Sequence, residues 1–219
     1  MTEVRIASTV TPHVRAGIIE ASNVTVVKHD PRLWGEIEAA VGRMREAYAG
    51  FEPSQIKGLR PARELYHRIG VDPTKLRPSS EALLRRVLRG DSLPQINSLV
   101  DINNWCSLEF LLPIGLHDVG RVVGGLVLRH GEPGEGYGAI GKGWYGVEGR
   151  FVAADDRGPC GSPTSDSQRT MITPETTRCL MIVYAPGQFD APALEAHAAT
   201  AASRITRYAG GEIVQTAVL

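Results

Sequence analysis

The chain has 219 residues, enough for one large domain or two small ones, and its 42% apolar and 22% charged content is that of a soluble globular protein. Twenty-four basic residues balance twenty-four acidic ones, which by itself predicts no nucleic-acid partner. No apolar run approaches membrane-spanning length, and the first residues lack a basic-then-apolar signal, so no membrane role and a cytoplasmic location are expected. Three cysteines, 106, 160 and 179, are odd in number and far apart, which fits a reducing compartment and argues against a disulfide framework.

In chain order, residues 4–28 are rich in Val, Ile and Thr and read as one or two strands. Residues 31–49 read as a helix opened by Pro31 and stopped by Gly50. Helices follow at 58–69 and 78–90, each closed by glycine. Residues 55–89 hold nine basic residues against Glu64, Asp72 and Glu81, a local charge of +6 that leaves −6 for the rest. Lys57, Arg60, Arg63, Arg85 and Arg86 are the candidate phosphate contacts. The plainer reading is a pair of helices with solvated basic sides.

The stretch 97–110 predicts a fourth helix, closed by Pro113. Leu99, Ile102, Cys106 and Phe110 share its apolar side, and Asn97, Asp101 and Asn104 fall opposite. Asn97 serves as an N-cap. Asp101 and Asn104 are poor helix formers, so tertiary contacts or chemistry must retain them. Glu109 sits at the edge of the apolar face, where a carboxylate is either paired or useful.

Residues 121–129, 137–154 and 177–185 then read as strands between glycine-rich turns, 190–208 as an alanine-rich helix, and 212–218 as a last strand. Helices followed by strands suggest an α+β fold, a single compact domain over 1–219 with a mostly antiparallel sheet in its second half. Gly136-Tyr137-Gly138-Ala139-Ile140-Gly141 matches G-x-G-x-x-G, but Gly143, Gly146 and Gly149 follow where a dinucleotide site needs a helix. Hairpin turns are the better reading. Tyr137, Trp144 and Tyr145 there either cover a sheet or stack on nucleobases. Residues 158–170 read as a long polar loop suited to an oxyanion or polar ligand. Cys160 has no sequence-local base, and the histidines show no metal spacing, so neither a thiol nucleophile nor a metal or other cofactor is expected.

Several motifs stand in an ordered series: Pro78-Ser79-Ser80-Glu81-Ala82-Leu83-Leu84-Arg85-Arg86, Leu93-Pro94-Gln95-Ile96-Asn97 through Asn104, Leu108-Glu109, Pro113, Gly125 through Arg129, Gly131-Glu132, and Ala153 to Asp155. Residues 78–184 resemble the editing module of the phenylalanyl-tRNA synthetase beta subunit, and Lys57 to His67 resembles that module's free-standing relatives. The resemblance implies a hydrolase that releases a wrong amino acid from tRNA, a trans-editing role in translation quality control. Asn104 matches the family's pocket asparagine, and Asp101 and Glu109 match recurrent positions. Gly115 falls where the family has a histidine, and His117 does not match. Asp166, beside Thr164 and Ser165, falls near the family's glutamate. The resemblance therefore implies Asn104, Asp101 and Asp166 as catalytic and Glu109, Gly115, Thr164 and Ser165 as substrate-binding. The departures at 115 and 166 imply space for a side chain other than tyrosine, with canavanyl-tRNA(Arg) the leading candidate. A non-catalytic tRNA- or RNA-binding module, and a small-molecule-binding domain that kept only the fold, are the alternatives.

Overall fold

The computed structural model describes all 219 residues. Its centre is a four-stranded antiparallel sheet in the order β11-β2-β10-β3, with β2 Val14–Ser22, β3 Ile114–Asp118, β10 Arg178–Pro186 and β11 Glu212–Val218. Strand β2 is buried on both faces. Ile19 and Ala21 point to one core, Ala16 and Ile18 to the other, as a period of two requires. The register shifts once in the β2–β11 pair, between Ile213 and Gln215.

Helices cover one face: α1 Pro31–Ala47, α3 Ser79–Leu88, α4 Ser98–Phe110 and α5 Ala191–Ala209. Their starts follow from the sequence. The Asp30, Asn97 and Asp190 side chains each accept backbone N–H bonds in the first turn, contributing about 1 kcal/mol apiece. Gly210 ends α5, and Leu111, at φ 56, ends α4 in the left-handed region.

The other face packs on α2 Arg60–Arg68 and on a second sheet ordered β1-β4-β7-β8-β9. Its strands are β1 Val4–Ile6, β4 Leu126–His130, β7 Phe151–Asp155, β8 Gly158–Ser162 and β9 Ser165–Asp166. Only β1 and β4 run parallel among the named strands. A hairpin, β5 Gly136–Ala139 with β6 Gly143–Gly146, lies against this sheet through Tyr137, Ala139 and a small core of Val147, Val152 and Ala154.

The α+β architecture and the five helices match expectation. The region 137–154 is not one strand but β5, β6 and β7, and the glycine-rich motif is strand β5 with the first residues of the hairpin turn. Residues 158–170, read as a loop, form β8 and β9, because β7 pairs with β8 through Ala153–Gly161 and Asp155–Gly158. Strand β3 was not expected at all. No helix is long and apolar enough to cross a membrane, and the three cysteines are free and buried.

Candidate functional site

On β3, Ile114 and Leu116 face the helices, so Gly115 and His117 face the second sheet. Four strands meet there. A Cβ at Gly115 would lie 3.0 Å from Tyr184 Oη and 3.5 Å from Asp166 Oδ1. One at Gly161 would lie 3.2 Å from His117 Nε2 and 3.3 Å from Asp166 Oδ1. The two glycines thus let Asp166, His117 and Tyr184 approach one another. Gly115 does not leave open space for a substrate, as its small size suggests; the Tyr184 hydroxyl, reaching across from β10, occupies it.

Three polar atoms in this cluster, His117 Nε2, Asp166 Oδ1 and Tyr184 Oη, are buried and have no hydrogen-bond partner in the protein. A buried polar atom without a partner is destabilising by about 1–3 kcal/mol, and the gathering of three on one face makes this cluster the candidate site. Burial pushes the Asp166 carboxyl up to about 7, against one opposing hydrogen bond from the Leu116 amide. Burial, aided by the Arg169 charge, pushes His117 down to about 4. The imidazole is therefore neutral at pH 7. Its tautomer follows from its neighbours: Thr170 Oγ1 donates to the Cys160 carbonyl (3.2 Å), so it accepts from His117 Nδ1–H (3.0 Å). The inward Nε2 is then a bare acceptor. Tyr184 is held far above its ordinary value by burial and supplies an O–H donor.

The surrounding shell is rigid. Ser162 Oγ accepts from the Thr164 and Ser165 amides (3.3 and 3.2 Å), which shapes the β8–β9 turn. The Tyr137 hydroxyl donates to the Ser165 carbonyl (2.6 Å), and the Tyr66 hydroxyl of α2 donates to the Pro163 carbonyl (2.8 Å). Arg169 forks onto the buried Asp155 carboxylate at 2.7 and 2.8 Å. Burial raises the Asp155 carboxyl, but the Arg169 and backbone hydrogen bonds outweigh it and hold it below the usual range.

Of the residues expected here, the fold brings together Gly115, Thr164, Ser165 and Asp166. It does not bring the α4 carboxylates to them. Helix α4 packs on the opposite face of the central sheet. Asp101 Oδ2 accepts from Trp34 Nε1 (3.0 Å) and Oδ1 from the Ile96 amide (2.8 Å), which pins α4 to α1. Both oxygens are engaged by these two donors. Glu109 likewise bridges Arg43 and Arg204. Asn104, one turn after Asp101, is half-buried on the same helix. His117 and Tyr184 were missed. Two residues apart on a strand, Gly115 and His117 share a face, but that is legible only once β3 is recognised.

The basic segment forms a trough on the outer side of α2, whose inner side carries Tyr66. Lys57, Arg60, Arg63 and His67 line one groove of about 490 Å³. It adjoins another, of about 450 Å³, lined by Arg63, His67, Arg77 and Arg85. Arg86 lines neither and donates to the Ser92 carbonyl. No group of three or more metal-ligating side chains comes together.

A family model described as the B3/4 domain matches residues 61–210, well over half of the chain and including every member of the cluster. Among solved structures, an N-terminal fragment of the phenylalanyl-tRNA synthetase beta subunit from Pyrococcus horikoshii aligns at 13% identity and a TM-score of 0.44. The alignment covers 96% of this chain and 49% of that one, so the chain spans about half of that fragment. No curated protein matches.

Proposed function

The chain belongs to the B3/4 domain family and is a module of the phenylalanyl-tRNA synthetase beta-subunit type; from this we propose that it is a trans-editing hydrolase acting on mischarged aminoacyl-tRNA. The observation that carries the reading is the buried trio of Asp166, His117 and Tyr184, unpartnered and separated by one helix from a basic trough. The ester between an amino acid and a ribose hydroxyl is already activated. A positioned water and a donor for the oxyanion suffice to cleave it. In the proposed mechanism Asp166, as carboxylate, takes a proton from water as the water oxygen bonds to the ester carbon. The Tyr184 hydroxyl donates to the oxyanion, and His117 Nε2 accepts from the water's second O–H. Collapse expels the ribose oxygen, which takes the proton from Asp166, leaving free amino acid and tRNA. Thr164 and Ser165, on the turn that leads into Asp166, flank the substrate, while Asn104 stays with α4 on the other face of the central sheet. Lys57, Arg60, Arg63 and Arg85 hold the tRNA backbone.

Canavanyl-tRNA(Arg) is the leading substrate. Asp118 and Glu109 already hold partners: Gly120 N–H, Thr176 and Arg121 for Asp118, and Arg43 and Arg204 for Glu109. Asp166 is the carboxyl of the pocket without a cationic partner. A cationic side chain arriving near Asp166 favours its carboxylate form, the form the mechanism needs.

The test is a deacylation time course with canavanyl-tRNA(Arg), Arg-tRNA(Arg), Tyr-tRNA(Phe) and Phe-tRNA(Phe). Selective release of canavanine is expected, with kcat/KM rising through the Asp166 titration of the free enzyme. Asp166→Asn lowers kcat about 100-fold or more, the scale of general-base catalysis. Equal or faster release from Tyr-tRNA(Phe) overturns the substrate. No release from any substrate, with tRNA still bound, replaces the hydrolase by a binding module.

A further inference from the structure

The β5–β6 hairpin is pinned to the Asp166 strand along its length. The Ile140 amide donates to the Asp166 carbonyl (3.0 Å), the Gln168 amide to the Gly138 carbonyl (2.8 Å), and Gln168 Nε2 to the Ala139 carbonyl (3.1 Å). Its two faces differ completely. Tyr137, Ala139 and Tyr145 turn inward and complete the small core. The opposite face consists of Gly136, Gly138, Gly146 and one side chain, Trp144, because cross-strand partners share a face and Gly138 pairs with Trp144. The indole lies down over Gly136, where a Cβ would sit 2.6 Å from its Cζ2. Trp144 is nevertheless 72% exposed, while Trp34 and Trp105 are 8% and 6% exposed. The hairpin does not need Trp144 for its own burial. Lys142 is exposed in the adjoining turn.

A broad, exposed aromatic face on a hairpin bonded to the Asp166 strand, with a lysine in the adjoining turn, is suited to an unpaired base. We propose that Trp144 is the stacking platform for a base at the single-stranded 3′ end of the nucleic acid, so that the hairpin sets how deeply the terminal ribose enters the Asp166 site. Lys142 lies on the phosphate side of that strand. The inference rests on the hydrolase reading and adds a positioning residue to it.

Two measurements separate the two claims. In the first, tryptophan emission is followed while the trinucleotide CCA is added to the wild-type protein. Since Trp144 is the exposed indole, saturable quenching is expected, and it is absent in Trp144→Phe. In the second, the steady-state constants of deacylation are compared. Trp144→Ala is expected to raise KM by about 5- to 100-fold, the range for loss of one stacked base, with kcat within twofold and Trp144→Phe restoring most of the loss. An unchanged KM in Trp144→Ala, beside a wild type that turns over, overturns the platform and leaves the hydrolase. If the wild type turns over no aminoacyl-tRNA, the hydrolase falls, and absence of CCA quenching then overturns the platform as well. Because the side chain is mostly in solvent, the folded far-ultraviolet spectrum of both variants stays that of the wild type.

Discussion

Asp166 and His117 share one buried space and respond to acid in opposite senses. Asp166 has its folded pKa raised, from 3.8 to about 7, so the folded state binds more protons than the unfolded chain between those values. Its contribution to stability is present at low pH and is lost as pH rises from about 4 to 7. His117 has its folded pKa lowered, from 6.5 to about 4, so the unfolded chain binds more protons in that interval. Its effect destabilises the protein as pH falls from 6.5 to 4. The two slopes oppose each other over nearly the same window, and the wild type is expected to show a flat stability profile there. Asp166→Asn removes one slope, and urea midpoints should then fall steadily with acid between pH 6.5 and 4. His117→Gln removes the other, and midpoints should rise with acid. Parallel profiles for the two variants would show that the residues do not titrate as assigned.

The elements carry the basic trough on one carboxylate. Glu81 of α3 is buried and accepts from Arg63 Nε and Nη2 of α2 (2.7 and 2.9 Å) and from Arg85 Nε (2.9 Å), with Arg77 at 3.8 Å. Burial raises its carboxyl, but the guanidinium hydrogen bonds outweigh that and leave it below its ordinary value. Its stabilisation is present above that ordinary value and is lost as pH falls through the folded one. Glu81→Gln leaves three clustered guanidiniums without their anion. A loss of about 2 kcal/mol is expected, below the range for a fully buried pair because the arginines are partly exposed. Urea unfolding measures it, and a change under about 0.5 kcal/mol would deny Glu81 this role. The two helices that meet at this carboxylate, α2 and α3, were legible in the sequence through the glycines that close them, Gly70 and Gly90. Strands β3, β8 and β9 were not, since Gly115, Gly158, Pro159 and Gly161 are poor strand formers held there by pairing with β10 and β7. The site followed the strands. The family pattern pointed to Asp166; the partners of Asp101, Trp34 and the Ile96 amide, lie off its own helix and were not legible; and the shared face of Gly115 and His117 belongs to the unread β3.

At the scale of the molecule, zero net charge conceals a concave basic surface, and composition alone misses it because the arginines converge only where α2 meets α3. The order of the central sheet has a consequence in time. Strand β2 is among the first segments of the chain, yet both its neighbours, β10 and β11, come from the last forty or so residues. A ribosome must pass from residue 22 to residue 178 before the first of those neighbours exists. Loop closure over such distances is entropically expensive, so refolding is expected in milliseconds to seconds rather than microseconds. A chain stopped at residue 177 should show no hydrogen-exchange protection across 14–22, whereas protection there would mean that β2 finds another partner first. Until β10 arrives, an apolar segment waits uncovered, the kind of surface that makes a nascent chain prone to aggregation.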